Sequence, residues 1–494
     1  MRIIRNQTFD TSKYTDENFL YSNKLVDIPT ISKHITYLYG RDNDMFPLSF
    51  LTEGQGNVTK KVFKAKDTQY TWAVMGHMTF INKVVRMSNA AMSEPGRAFT
   101  YFKAVFETDI FPKNFGAVSP DHKHLVFITG EPTRLGDKEF EYEFQIVGAD
   151  NTEYIGLGNF AAGSAWVMST PTVPMSKSTG NRHHRTLPGK MTNQLSLHRH
   201  TLNIAGNAAN KATVYEFKNT KGGTTNMWIP EEMSQFDFQR RVLDEDNHWY
   251  SVYNRNSNGE ITTIDRDTKQ PVPRGAGVKQ FIQSANNHQY YTRMTLDLLE
   301  GMINKIHSNR TDGGVAEIVI YGGAGAKREF QRAIKDVAVN SQYYQELGAQ
   351  EIQDLGLSMK FGKYFTAYKT IDGKVITFVE MGLFNKGPRA QQDTANGRVV
   401  DGFPVESYNM VFLDHGIDMQ SGEPNVQMVK EEGRELLTGV YKGLTPLPPE
   451  WGSVYSDLLS TDRDEASYEM MYSSGIAIKN ATTSFWFELD YTDR

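Results

Sequence analysis

Between Asn286 and Val337 the apolar and polar positions follow three different rhythms in succession. Tyr291, Met294, Leu298 and Met302 recur at spacings of three and four, and Leu299, Ile303 and Ile306 widen the stripe. That period predicts one amphipathic helix of about six turns. Asp312-Gly313-Gly314 stops it with turn chemistry. Val315 to Tyr321 is a β-branched run with the composition of a buried strand. Gly322-Gly323-Ala324-Gly325 follows, and a helical period resumes through Phe330, Ala333 and Ile334. Helix, strand, glycine turn and helix predict the centre of an α/β domain.

The same reading predicts the other elements. Residues 1 to about 45 form an extended arm: Leu25, Val26, Ile28, Ile31 and Ile35 are scattered without a period, so they need another surface to lie against. Val58–Phe63 and Thr68–Met75 alternate as strands around Lys66-Asp67, a pattern that suits a two-stranded ribbon. Further strands are expected at Phe99–Phe106, Leu125–Thr129 and Glu139–Val147. Trp228-Ile229-Pro230-Glu231-Glu232 reads as a helix start. The stripe Met233, Phe236, Leu243, Tyr250 and Tyr253 then carries a helix of about 24 residues, roughly 36 Å long. Strands follow at Tyr364–Lys369 and Val375–Met381, a polar loop over 384–406, and strands at Ser407–Leu413, Asn425–Val429, Tyr468–Tyr472, Ile476–Lys479 and Ser484–Leu489.

Composition narrows the function more than it names it. The chain has 494 residues, 39% of them hydrophobic, which is ample for packed cores. There is no cysteine, so disulfides, thiol nucleophiles and iron–sulfur clusters are excluded. A formal charge of −5 gives no sign of a chain that grips nucleic acid by counterion release. Met1-Arg2-Ile3-Ile4-Arg5 turns polar at once, without the apolar core of a signal peptide, and no window is apolar enough to span a bilayer. A soluble, intracellular protein is expected.

Candidate chemistry is sparse. The glycine turn invites phosphate, because N–H groups at a helix start attract anions. Lys327 stands between Ala326 and Arg328, however, and Arg328 occupies the place of the third glycine, so neither nucleotide motif is met. His183, His184, His198 and His200 cluster, but no Asp or Glu lies between Ile155 and Tyr215 to complete a metal site. A loop histidine cluster at a subunit contact is the expectation. Glu380 near the end of its strand, with Glu317, suggests a glycosidase, which would need a second placed carboxylate and a repeated strand–helix barrel. Only one such unit is visible.

The order of parts carries a resemblance. Phe46-Pro47-Leu48 through Gly54-Gln55-Gly56, Tyr70-Thr71-Trp72-Ala73-Val74-Met75-Gly76, Asn287-His288-Gln289-Tyr290, Gly422–Gln427 and Glu432-Gly433-Arg434 resemble the HK97-fold major capsid proteins of tailed bacteriophages, most like the crAss-like phages. The resemblance implies an α+β, HK97-type capsid fold. Its parts would be an N-terminal arm (1–45), an extended E-loop with adjoining strands (46–150), and a P-domain (151–280) with a spine helix near 229–254. An α/β A-domain (281–410) and a return to the P-domain with closing strands (411–494) would complete it. It implies a structural, non-enzymatic subunit that builds hexamers and pentamers of an icosahedral head around double-stranded DNA, without a cofactor, metal or membrane. Portal, scaffold and decoration proteins would be further partners, the packaged DNA would be touched non-specifically, and assembly would occur in the host bacterial cytoplasm. Candidate inter-subunit contacts are Phe46, Leu48, Lys60, Lys61, Phe63, Tyr70, Trp72, Arg240 and Arg241. A tail tube or sheath protein is the alternative, and a carbohydrate-active enzyme a more distant one.

Overall fold

A computed structural model describes residues 45–49, 51–52, 62–75, 79–88, 92–176, 178, 180–181, 187–206, 212–218, 224–310, 316–338, 344–346, 365–370, 375–419, 421–445 and 461–491. The expected arm over 1–44, Lys60, Lys61, His183 and His184 lie outside these residues. The chain divides into two units, Ala73–Lys190 and the remainder.

Strands β1 (Phe63–Ala65) and β2 (Gln69–Val74) do not close a hairpin on each other. β1 instead runs parallel to residues 429–431, and β2 pairs with residues 189–194. Partners far along the chain therefore win over the local turn at Lys66-Asp67.

Within Ala73–Lys190 lie β3 (Ile81–Met87), β4 (Phe102–Phe106), β5 (Phe115–Val118), β6 (Leu125–Ile128), β7 (Thr133–Gly136), β8 (Glu139–Val147) and β9 (Ala165–Pro171). Their order is β4-β3-β9-β5-β6-β8-β7, and β8 pairs again with β4. Six strands thus close into an antiparallel barrel, with β7 as a flap on β8. Alternation explains it. Phe102, Ala104 and Phe106 of β4 and Tyr142, Phe144 and Ile146 of β8 all turn into one buried cluster with Trp166. The Phe106 ring meets Phe111, Tyr142, Phe144 and Trp166 at centroid distances of 5.6, 5.5, 5.6 and 6.3 Å. Much of the stretch that the capsid resemblance assigns to an E-loop with adjoining strands lies in this closed body, which has its own core.

β10 (Gly189–Gln194) crosses the boundary at Lys190, and the other unit continues with β11 (Ser196–Ala205) and the antiparallel pair β12 (Ala212–Lys218) and β13 (Thr224–Met227). Helix α1 (Trp228–Tyr250) follows, 23 residues and roughly 34 Å long, and then the short α2 (Val278–Ser284). The six-turn helix expected from Tyr291 onward is instead β14 (His288–Tyr291) followed by α3 (Leu296–Asn309). Thr295 caps α3, its hydroxyl accepting from Leu298 N at 3.3 Å. β14 exists because it runs parallel to residues 486–489. Tyr291 and Met294 still share a core with Leu299, Ile303 and Ile306, so the stripe is real although the helix is interrupted.

Next come β15 (Ile318–Gly322), α4 (Ala324–Ala338), β16 (Tyr344–Glu346), β17 (Phe365–Thr370) and β18 (Val375–Glu380). The expected polar loop over 384–406 holds α5 (Gly382–Lys386), α6 (Pro388–Ala395) and the ribbon β19 (Val399–Val400) and β20 (Phe403–Pro404). A 3₁₀ turn, Val405–Tyr408, leads to β21 (Met410–Asp414), and then come β22 (Val426–Glu431) and β23 (Leu437–Lys442). β24 (Glu465–Ile478) is one long strand where two were expected, and β25 (Phe485–Leu489) closes the chain.

Seven strands form a mixed sheet in the order β14-β25-β21-β15-β18-β17-β16. All five residues of β15 are buried, and period-two alternation sends them to opposite faces. Val319 and Tyr321 join Val411, Leu413, Trp486 and Trp249 of α1 on one side. Ile318 and Ile320 join Phe412, Phe487, α3 and Phe330 of α4 on the other. A second sheet runs β1-β22-β24-β11, with β23 also on β24. Its register places Ser196–Ala205 opposite Glu465–Ser474.

The barrel makes the first prediction. Residues 73–190, produced alone, should give a β-rich spectrum and a single cooperative unfolding transition. Phe144→Ala should remove ~3–5 kcal/mol from it, as truncation of a buried ring does. A fragment without cooperative unfolding would show that its core is insufficient.

Candidate assembly surfaces

The candidate contact residues separate into those the chain uses itself and those it leaves outside. Pro47–Ser49 form a helical turn whose N–H groups point at Glu245 of α1. Leu48 N and Ser49 N donate to the Glu245 carboxylate at 2.9 and 3.1 Å, and Ser49 Oγ and Trp249 Nε1 donate at 2.5 and 3.1 Å. Burial pushes the Glu245 carboxyl above its usual range, while these donors and His248 favour the anion. Phe46 and Leu48 lie in the core beside Val242 and Trp249. They anchor the incoming chain to α1 rather than offering surface to a neighbour.

Tyr70 is also internal. Its hydroxyl donates to Ile476 O at 2.7 Å and accepts from Asn193 Nδ2 at 2.9 Å, and burial raises its pKa far above the ordinary phenol value. Trp72 packs between Tyr70 and Phe281 at 6.2 and 6.0 Å, with Nε1 3.4 Å from Lys479 O. Arg240 pairs with Asp237 at 3.0 Å and covers the Tyr472 ring; Arg241 pairs with the same carboxylate at 2.9 Å and covers Phe46. Both arginines thus have partners in their own chain. The sequence reading took these residues outward because large apolar side chains and arginines favour interfaces and cores alike. Phe63 alone of the described candidates keeps a large exposed fraction, 47%, on the end strand of its sheet beside the Lys64–Glu435 pair at 2.5 Å.

One apolar surface was missed. Register across the barrel aligns Ile81 with Val167, Val167 with Val118, Val118 with Leu125 and Leu125 with Val147. These five residues form one row across β3, β9, β5, β6 and β8, with their neighbours Asn82, Trp166, Ala117, Val126 and Ile146 buried. Ile81, Leu125 and Val147 are 46%, 38% and 50% exposed. The apolar residue at the outward position of each strand was the available signal, and it becomes a row only once the registers are known.

The remaining candidate groups are tied down. Gly322, Gly323 and Gly325 are required by close packing: an added Cβ would stand 2.8 Å from Ala326 Cβ, 2.6 Å from Ser407 O and 2.9 Å from the Tyr408 ring, respectively. The N–H groups of Ala324 and Gly325 donate to Asn385 Oδ1 and Ser407 Oγ at 2.7 and 2.9 Å, so neutral side chains hold the place a phosphate would take. Glu380 pairs with Lys327 at 3.0 Å. It stands opposite Gly322, five residues along β15 from Glu317, or about 16 Å at ~3.3 Å per residue. Paired glycosidase carboxylates lie ~5–9.5 Å apart. His198 and His200 belong to a strand, not a loop, and stack on Tyr472 at 5.0 and 6.0 Å. Asp244 Oδ1 lies 3.9 Å from His198 Nε2 and 3.7 Å from His248 Nε2, and burial holds His198 down to about 4. The pair is an internal seam between β11 and α1, which corrects the expected surface position. Among the described residues no group of three His, Asp or Glu side chains is placed to hold a metal ion, and no helix is long and apolar enough to cross a membrane.

The anchor yields a prediction. Glu245→Ala should lower stability by ~2–3 kcal/mol, because buried N–H donors lose their acceptor. Limited proteolysis should then cut near residues 45–52 first. Unchanged stability and an unchanged cleavage pattern would show that this carboxylate does not hold the segment.

Comparison with known proteins supplies the family. The family model of the crassvirus major capsid protein matches residues 2–490. No curated protein matches the chain. Among solved structures, a chain of Microbacterium phage Oxtober96 is similar at 8% identity and a TM-score of 0.36, covering 96% of this chain and all of that one. The SrpI encapsulin of Synechococcus elongatus PCC 7942 is similar at 10% identity and a TM-score of 0.31, covering 65% of this chain and 81% of that one. A chain of the bacteriophage PhiM1 mature capsid is similar at 10% identity and a TM-score of 0.30, covering 65% and 79%. Those likenesses are slight. The family match runs almost end to end, and on it the chain belongs to the crassvirus major capsid protein family.

Proposed function

We propose that this structural protein of the virion capsid assembles into the hexamers and pentamers of an icosahedral head, enclosing double-stranded DNA. The observation that carries the reading is the match of the capsid family model over residues 2–490. The internal use of polar groups supports a non-catalytic role: Glu380 is paired with Lys327, and the glycine-turn N–H groups are capped. The formal charge of −5 suits a wall that touches DNA non-specifically, since tight phosphate binding would hinder movement of the genome. Portal, scaffold and decoration proteins are the further partners this role calls for, and the host bacterial cytoplasm is the place of assembly.

In this reading α1 is the spine helix and the mixed sheet is the core of the A-domain. Residues 1–45 supply an arm, and residues 411–494 return the chain to the P-domain. The HK97-type arrangement suits a subunit that must bury large areas against several neighbours, since permanent interfaces run to ~2,000–5,000 Å². We assign two outward surfaces to contacts between copies: Phe63 at its sheet end, and the row Ile81, Val167, Val118, Leu125 and Val147. The six strands of the closed ring have no free edge, so along them contacts are made by faces, while β7 is paired with β8 alone.

Negative-stain microscopy with sedimentation across salt and protein concentration tests the reading. Closed shells, or hexamers and pentamers, are the expected products. Leu125→Asp with Val147→Asp should shift the protein toward free subunits while its thermal midpoint stays within a few degrees of wild type. A lasting monomer under all conditions, or helical tubes, would contradict the head assignment. Normal shells from the double variant would remove the row from the interface.

A further inference from the structure

Strand β23 (Leu437–Lys442) leaves one edge open. It pairs with residues 466–471 of β24, and among the described residues no other strand lies beside it. β1 covers β22 over residues 429–431 and pairs with no part of β23. Gly443 N donates to Glu465 O at 3.0 Å, and the register carries that alternation back along the strand. Tyr441, Gly439 and Leu437 therefore turn their N–H and C=O groups to β24, while those of Thr438 and Val440 point along the open edge. Edge strands are usually blunted by charge, proline or a bulge. Leu437-Thr438-Gly439-Val440-Tyr441 carries neither charge nor proline, and its register on β24 is unbroken.

Two more features of this strand have no cause within its own sheet. Leu437 and Tyr441 share a face by alternation, and they are 47% and 52% exposed. Gly439 stands between them on that face, and a Cβ added there would meet nothing within 4 Å. Glycine weakens a strand interior, and one common reason for it is the close approach of another backbone. Among the described residues no such backbone is present.

We propose that β23 pairs antiparallel with β23 of a second copy across a two-fold axis at Gly439, joining two sheets into one. The inference rests on the reading that copies of this chain assemble. Edge geometry selects the register. Thr438 and Val440 carry the open groups, so each must face Thr438 or Val440 of the other copy. Centring on Gly439 sets Thr438 opposite Val440 in both directions, with two hydrogen bonds in each pair. It also sets Leu437 of each strand opposite Tyr441 of the other, an aliphatic–aromatic match that covers both exposed side chains. Centring on Thr438 would face Leu437 with Gly439, and centring on Val440 would face Tyr441 with it, so the match would be lost. The same five residues satisfy one another, as a two-fold interface requires, and no like charges meet among them.

The chain has no cysteine, so one introduced thiol reports the contact. Residues on the two-fold form a non-hydrogen-bonded pair with Cα atoms ~4.5 Å apart, within the span of a disulfide. Oxidation of assembled Gly439→Cys should therefore give disulfide-linked dimers as the main species on a non-reducing gel. Val440→Cys, whose counterpart is Thr438, should give few. Thr438→Pro removes an N–H that β24 does not use, so the subunit's thermal midpoint should stay within a few degrees of wild type. Added to Gly439→Cys, it should abolish the dimers. Hydrogen exchange reads the pairing without any substitution: protection of residues 437–442 in wild type should rise on assembly. Monomeric Gly439→Cys in assembled material, equal dimer yields from Val440→Cys, or unchanged protection in wild type would overturn the pairing. Shells that form without the crosslink would do so while leaving the capsid reading intact. Absence of any association would overturn both, and sedimentation before oxidation tells the two failures apart.

Discussion

The architecture of the larger unit depends on one constraint: β15 must be covered on both faces. Its five residues are all buried, and each step along the strand changes the core that a side chain enters. Val319 and Tyr321 require α1 and Trp486 above them, while Ile318 and Ile320 require α3 and α4 below. Once those helices are fixed, the chain between strand and helix has little room. Gly322, Gly323 and Gly325 follow from that crowding rather than from ligand binding. The same packing brings Ser407 and Asn385 to the start of α4, which closes the anion site that the glycine turn would otherwise present.

A consequence is that polar side chains in this unit act as ties between elements. Glu245 fastens the incoming chain to α1, Asn287 donates to the carbonyls of Ala481, Thr482 and Ser484, and Arg310 pairs with buried Asp414 at 3.1 Å. Such bonds contribute modestly when made and cost more when one partner is removed. They fix geometry more than they add stability, which suits a subunit that must present the same surfaces in many copies.

What the sequence disclosed follows from which interactions are local. The strand at 318–322, the glycine turn, helix α4 and the long helix α1 were legible because period, caps and turn residues lie within one stretch. The break between β14 and α3 was not, since only the pairing of His288–Tyr291 with Trp486–Leu489 reveals it. Barrel closure was hidden for the same reason: the return of β8 to β4 is a register, and no single strand encodes it. Among the candidate contacts, Phe46, Leu48 and Tyr70 lie in the chain's own cores and Trp72 packs against them, a placement that was hidden because a buried apolar side chain and an interface one look alike in one dimension. The outward row on the barrel failed differently, as five unremarkable residues that only registers bring together.

The central claim is that this chain forms the wall of the head. Cryo-electron microscopy of intact particles carrying this protein tests it most directly. The account predicts that head density accommodates the mixed sheet flanked by α1, α3 and α4, repeated as six-fold and five-fold rings. Density for that sheet in the tail, with a different chain forming the head wall, would contradict it.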